Sequence, residues 1–587
     1  QQTYTFAKDG KDMLRVTFSV SNNNIAFGYE VLQPKKETMC CVVNSEVTSY
    51  SLPEGTTTFL CPQMGEMTGF ARTAPSYETH YDADATMGRN GWGHGYTFPC
   101  LFKSPLPASS LNATAAKDGA KGKGSKSKKA SAKAETPGNV WILISETGAG
   151  DYPGCKLENK GGSLYQISFP SEKENNGYGS TGAQMALPEK TPWRTITISD
   201  NLKDIVETTI TWDILSSVMK DENGALDKVR RHHAEGYGRG AWSWIIAGDA
   251  SCNYEEQKQY IDFAAAMGWE SLLIDAMWDT QIGRDRIAEL AKYGKEKGVY
   301  LYLWYNSNGL WNDAPQGPRN CMHIPMVRDA EMAWMQSIGI RGIKVDFFGG
   351  DEQCTMDLYR DILASALKHD IKVIFHGCTL PRGWEYLFPN YVASEAVRAS
   401  ENLHFGQNEC DREAMDATFL PFLRNTVGSM DFGGSTLNKF YSKGNNRGTQ
   451  RRTSEVFALA TAVLFQSPVQ HFAMAPNNLT DAPQWALDFM KAVPTTWEDI
   501  RYIEGYPGKY IVLARKSQEG KWYITAVNGT KEPLKLNIPL DVYNIGATVN
   551  LYSDDEALVG SVKPLKIDKK RTLATVIPVN GAVLITE

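Results

Sequence analysis

The sequence predicts a multidomain chain of α/β and β character, a central (β/α)8 barrel flanked by an N-terminal β-sandwich and a small C-terminal β-sandwich. Three observations carry this. Residues 1 to about 237 alternate polar and apolar side chains in short runs, residues 238–500 repeat a strand-then-helix rhythm, and alternation returns over 501–587. Period-two alternation marks half-buried antiparallel strands, whereas short apolar strands followed by helical periods build a parallel sheet. A chain of 587 residues has room for three such units.

In the first region the runs Leu14–Val20, Val140–Ser145 and Val206–Trp212 read as strands of a sandwich, with turn residues between them. Within it, Ala108 to Gly138 carries seven lysines and little to bury, and is expected as a disordered surface loop. In the second region, Trp242–Ile246 leads to a helix over Tyr254–Met267, Ser271–Asp275 to one over Asp285–Lys297, and Tyr300–Trp304 to one over Ala330–Ile338. Gly342–Asp346 precedes a helix over Thr355–His369, and Lys372–Phe375 opens a fifth unit. Consecutive units of this kind favour a barrel over an open sheet. No Gly-x-Gly-x-x-Gly follows any of these strands, which argues against a nucleotide site. Lys509–Ala514, Trp522–Ala526 and Ala574–Thr586 supply the terminal sandwich.

Composition narrows the partners. The 61 basic and 67 acidic side chains give a net charge of −6, so no global positive field exists to hold nucleic acid or an anionic membrane. No apolar run of 18 residues suggests a membrane span. The start at Gln1 is expected to reflect an exported, processed product of a bacterial periplasm or cell surface. The ten cysteines show no zinc spacing, and an even count leaves both disulfides and free thiols open.

Catalytic groups of a barrel enzyme sit at strand C-termini. There the sequence places Asp275, Asn306 and Asn308, Asp346, His376, and Glu395 with Glu401, after the second to sixth strands. Any one of them alone is readily a helix cap or a core residue; their recurrence at successive strand ends is what points to a site. Lys344 and Asp346 are two apart on one strand and share a face, so the ammonium favours the ionised carboxylate that a nucleophile requires. A partner acid with a raised pKa would be Glu401 or Glu395. Trp242, Trp244, Trp278, Trp304, Tyr305, Phe347 and Phe348 could wall a pocket against the C–H faces of a sugar. The expected substrate-binding set is Trp242, Asp275, Trp304, Asn308, Lys344 and His376.

Taken together these segments resemble glycoside hydrolase family 97 over nearly the whole chain. The resemblance is carried by Glu146 in Ile144-Ser-Glu-Thr-Gly148 with Asp151-Tyr-Pro-Gly154 after it, Ala241-Trp-Ser-Trp244, Ile343-Lys-Val-Asp-Phe-Phe348 and Phe375-His-Gly377. Leu423-Arg-Asn-Thr-Val-Gly-Ser-Met-Asp-Phe432, Ser467-Pro-Val-Gln-His-Phe472 and Val493-Pro-Thr-Thr-Trp497 extend it. It implies the same three-domain order and, because Asp346 is present and Gly377 follows His376, the retaining branch, whose best-known activity is α-galactosidase. By the same resemblance Asp346 is the nucleophile, Glu401 the general acid/base, and Glu146, Glu395 and Glu401 ligands of a calcium ion. The implied substrate is a terminal α-linked sugar of an oligosaccharide or glycan. An α-glucosidase of the same family and a non-catalytic carbohydrate-binding protein are the alternatives. The segment Cys378–Asn390 and the Lys-rich stretch depart from the family pattern, and both lie where substrate choice is made.

Overall fold

The computed structural model describes residues 1–106, 138–148, 150–218, 236–540, 543, 545–567 and 569–587. The expected Lys-rich loop lies outside the described residues. No helix among them is long and apolar enough to cross a membrane. All ten cysteines are free.

The N-terminal domain is built on a twelve-stranded antiparallel sheet. Its central strands Tyr96–Pro105, Asn139–Thr147 and Trp193–Ser199 are packed face to face with the rest of the domain through Phe59, Phe102, Leu143 and Tyr165. A two-stranded sheet, Cys40–Val43 with Ala183–Ala186, completes it.

The central domain contains seven parallel strands: β1 (Gly238–Trp242), β2 (Ser271–Ile274), β3 (Tyr300–Asn306), β4 (Gly342–Asp346), β5 (Lys372–Phe375), β6 (Tyr391–Ser394) and β7 (Val469–Phe472). They pair in sequence from β6 back to β1, and β1 pairs with β7. Six ladders join the seven strands; between β6 and β7, where an eighth strand of a (β/α)8 barrel would stand, there is one parallel bridge, Ser394 to Met430. Just beyond it Gly433 packs on the Trp242 ring, where a Cβ would lie 2.7 Å from an indole carbon. The result is a nearly closed barrel of seven strands.

Packing inside the barrel is layered. Gly240, Ser271, Tyr302 and His471 meet near the floor: the Tyr302 and His471 rings are 4.9 Å apart, and a side chain on Gly240 or Gly342 would collide with His471 or Tyr302. One layer higher, Trp242, Trp304 and Lys344 fill the interior, all of them buried. Ile343 and Val345 face the outer helices and are likewise buried.

The C-terminal domain is a six-stranded antiparallel sheet starting at Trp497–Tyr506, backed by the pair Leu534–Pro539 and Thr572–Ile577. The barrel helix Glu455–Leu464 lies between this sheet and the barrel, and every one of its residues from Val456 to Leu464 is buried.

Candidate active site

β4 ends the site's central triad. Lys344 and Asp346 project inward together, as two residues apart on one strand must. Lys344 Nζ lies 3.2 Å from Asp275 Oδ2, 3.7 Å from Asp346 Oδ2 and 4.0 Å from Glu401 Oε2. Asp346 and Glu401 oxygens therefore cannot be farther apart than those last two distances laid end to end. That admits the gap of about 5 Å of a retaining pair and excludes most of the about 6.5–9.5 Å range of an inverting one.

Asp346 is held from both sides. Its Oδ2 accepts from Trp304 Nε1 at 3.0 Å and its Oδ1 from the Phe347 amide at 2.8 Å. Phe347 has φ of 68°, a left-handed conformation that turns its N–H back onto the carboxylate. Burial pushes the Asp346 carboxyl above the ordinary aspartate value, while Lys344 and His376 pull it down. Behind it stands Gly377 at φ 45°, where a Cβ would be 2.7 Å from Asp346 Oδ1 and from the Phe347 nitrogen. A side chain after His376 and this aspartate cannot share the space.

Glu401 begins the short helix Glu401–Phe405 and is half-buried. Burial would raise its carboxyl, but Lys344 and His376 hold it well below the usual carboxylate range. The protons are carried by its neighbours. Buried Glu395 is pushed well above the carboxylate range by desolvation and by Glu78 and Glu401, and Glu78 rises to about 8 through burial and the charges of Glu401 and Asp346. Burial and Lys344 would lower His376, yet Asp431 and Glu401 bring it to about 9. Of the two carboxyls expected to have a raised pKa, Glu395 has it and Glu401 has the opposite shift, while Glu78, which the sequence did not single out, is raised as well. His376 Nε2 lies 2.7 Å from Asp431 Oδ2, and its Nδ1 3.3 Å from Glu395 and 3.5 Å from Glu401.

A cavity of about 530 Å³ lies at the C-terminal ends of the strands, within the usual size of a small-molecule site. Asp275, Trp304, Lys344, Asp346 and Glu401 line it. Asp275 is oriented by Trp242 Nε1 at 2.8 Å and the Ala276 amide at 2.8 Å. Trp242 and His376 stand one layer behind the wall: Lys344 Nζ sits 4.2 Å over the Trp242 ring, and that ring packs edge-on to His376. Asn308 is spent on the loop after β3, accepting from the Leu310 and Trp311 amides.

Glu146 is not brought to this cluster. Its carboxylate accepts from Arg382 Nε at 2.7 Å and the Cys155 amide at 3.0 Å, and pairs with Arg194. These contacts use three of the roughly four hydrogen-bond sites of a carboxylate, and the two guanidinium charges beside it oppose a further cation. The carboxylate that does arrive from the N-terminal domain is Glu78, in the loop before Tyr81, whose backbone oxygen is held by Arg398 Nη1 at 3.0 Å. Sequence reasoning passed over Glu78, Asp431 and the cavity residues Phe70, His404 and Phe405. None has a period or a strand end to mark it, although Asp431 lies inside a segment that carries the family resemblance.

His376, Glu395 and Glu401 offer ligand atoms within 4.8 Å of one another, the cluster that could hold a metal among the described residues. Glu395 Oε1 is buried without a hydrogen-bond partner. Crowded carboxylates with an unspent oxygen suit a hard, oxygen-seeking cation.

Fold and site define a carbohydrate-active barrel with two carboxyl groups facing one pocket. Family models match three successive parts of the chain, "Glycosyl-hydrolase 97 N-terminal" over residues 1–216, "Glycoside hydrolase 97" over 233–397 and "Glycosyl-hydrolase 97 C-terminal, oligomerisation" over 496–581. The chain belongs to glycoside hydrolase family 97. A crystal structure of a β-arabinopyranosidase is 48% identical, with a TM-score of 0.88 over 99% of this chain and 86% of that one. A probable retaining α-galactosidase of Streptomyces bingchenggensis is 28% identical over 68% of this chain and 59% of its own length. The retaining α-galactosidase of Bacteroides thetaiotaomicron is 26% identical over 66% and 60%. The chain thus spans about three fifths of these two curated relatives. A family 97 enzyme from Pseudoalteromonas sp. strain K8, in complex with acarbose, shares the fold with a TM-score of 0.76 at 20% identity.

Proposed function

We propose that the protein is a retaining exo-glycosidase for a terminal pyranose with the ring configuration of α-D-galactose. β-L-Arabinopyranose has that same configuration and lacks only the hydroxymethyl on C5, so one pocket serves both names borne by the relatives. The observation that carries the reading is Asp346, locked by Trp304 and the Phe347 amide, with Glu401 across the same Lys344.

In the first step an Asp346 oxygen bonds to the anomeric carbon as the glycosidic C–O bond breaks. The bond electrons go to the leaving oxygen, which takes a proton from Glu401. In the second step Glu401, now a carboxylate, removes a proton from water, whose oxygen bonds to the anomeric carbon. The ester bond to Asp346 breaks and the carboxylate returns. Lys344 screens the charges of Asp275, Asp346 and Glu401 throughout.

Glu395 and Glu401, whose ligand atoms lie within 4.8 Å of each other and of His376, would hold a calcium ion, with Glu78, the N-terminal carboxylate on the same cavity, a further candidate ligand in the place first given to Glu146. When bound, the ion supplies fixed positive charge beside the acid.

The test is kinetic and stereochemical. Hydrolysis of nitrophenyl α-D-galactopyranoside or nitrophenyl β-L-arabinopyranoside should release first, by NMR, the anomer of the substrate, and Asp346→Gly should lose about four orders of magnitude in kcat and regain turnover with azide as a glycosyl azide. First release of the opposite anomer overturns the role of Asp346.

A further inference from the structure

The acid must touch the glycosidic oxygen, so whatever departs lies against Glu401. Residues three and four positions along a helix share its face; after Glu401 these are His404 and Phe405. Both line the cavity, together with Trp244. The Trp244 ring is 5.9 Å from His404 and 5.7 Å from Phe405, and its indole N–H is fixed by Asp249 at 2.7 Å. Asp249 is itself held by Gln316 at 3.1 Å. Phe405 is 68% exposed, a large apolar ring left open on the cavity wall. Beside it, Asn402 Nδ2 and His404 Nδ1 have no hydrogen-bond partner.

Resting on the hydrolase reading above, we infer that Trp244, Asn402, His404 and Phe405 form the subsite for the leaving group, and that the group it takes is a second pyranose ring. Aromatic rings accept the C–H face of a sugar, while the two unspent polar atoms ask for hydroxyls. An alkyl or aryl leaving group would cover Phe405 and leave Asn402 and His404 unpaired.

The test compares a galactosyl-glucose disaccharide, nitrophenyl α-D-galactopyranoside and α-D-galactosyl fluoride, with the β-L-arabinopyranosyl counterparts in parallel. All three form the same glycosyl ester and differ only in what leaves. In Phe405→Ala and His404→Ala the ratio of kcat/KM for disaccharide to that for fluoride should fall about ten-fold, and in His404→Ala the nitrophenyl glycoside should lose less than the disaccharide. Ratios within two-fold of wild type in both variants overturn the subsite. Equal losses on nitrophenyl glycoside and disaccharide in both overturn the pyranose assignment. Wild-type protein inactive on every substrate would overturn the hydrolase reading and the subsite with it.

Discussion

Gly377 shows how one missing side chain sets the chemistry of a barrel. Its φ of 45° is costly for any L residue, and a Cβ would press on both the Asp346 carboxylate and the amide that holds it. The Asp346 carboxylate keeps its place because the position after His376 carries no side chain. Gly377→Ala should therefore fold, since the barrel's strands are unaltered, and lose about 100-fold in kcat through a displaced Asp346. Steady-state kinetics beside a thermal melt checks this; kcat within three-fold of wild type would show that the space is not needed. The residue types at strand ends were legible in the sequence, and so was the shared face of Lys344 and Asp346. The proton distribution was not, because it depends on how closely Glu78, Glu395 and His376 crowd Glu401 in space.

At the scale of elements, periodicity found the helices after β1, β2 and β4, started the one over Ala330–Ile338 five residues late against Pro325–Ile338, and misread Val206–Trp212, expected as a strand, where helices Lys203–Val206 and Ile210–Val218 stand. The expected helix over 254–267 is Tyr254–Met267, and those over 285–297 and 355–369 are Arg284–Glu296 and Gln353–Lys368. Loops carry no such rhythm, and the loop that delivers Glu78 is invisible to it. The family resemblance put the N-terminal carboxylate at Glu146, on a strand; the carboxylate that reaches the cavity is Glu78, on a loop pinned by Arg398. The two roles separate by experiment. After chelation and calcium titration, Glu78→Gln should need at least about ten-fold more calcium for half of the wild-type stabilisation. Glu146→Gln should lower the melting temperature, because it strips a partner from buried Arg194 and Arg382, yet leave the calcium midpoint where it was. Identical calcium midpoints for Glu78→Gln and wild type would remove Glu78 from the site.

Across the whole molecule, the barrel depends on its neighbours. Helix Glu455–Leu464 has no polar face, so the C-terminal sheet must cover what the barrel does not. Arg515 of that sheet reaches across to donate to the Val463 and Leu464 carbonyls at 2.8 and 3.1 Å, ending the helix from another domain. Burial lowers its pKa to about 9. Arg515→Met leaves two buried carbonyls unpaired and should destabilise by about 1–3 kcal/mol, with barrel and sheet still melting in one transition by calorimetry. Two separated transitions in the variant, against one in the wild type, would mean that this contact alone couples the domains.

By itself the sequence determined the order of three domains, the strand that carries Lys344 and Asp346, and the aromatic and acidic character of the strand ends, because periodicity and residue type are local properties. Only the tertiary structure decided that the barrel's seven strands pair through six ladders and leave it nearly closed, that Glu78 and not Glu146 comes to the cavity that Glu401 lines, and that Trp244 and Phe405 border that cavity. Those outcomes rest on contacts between residues far apart in the chain, and no local pattern records which distant side chain fills a given space.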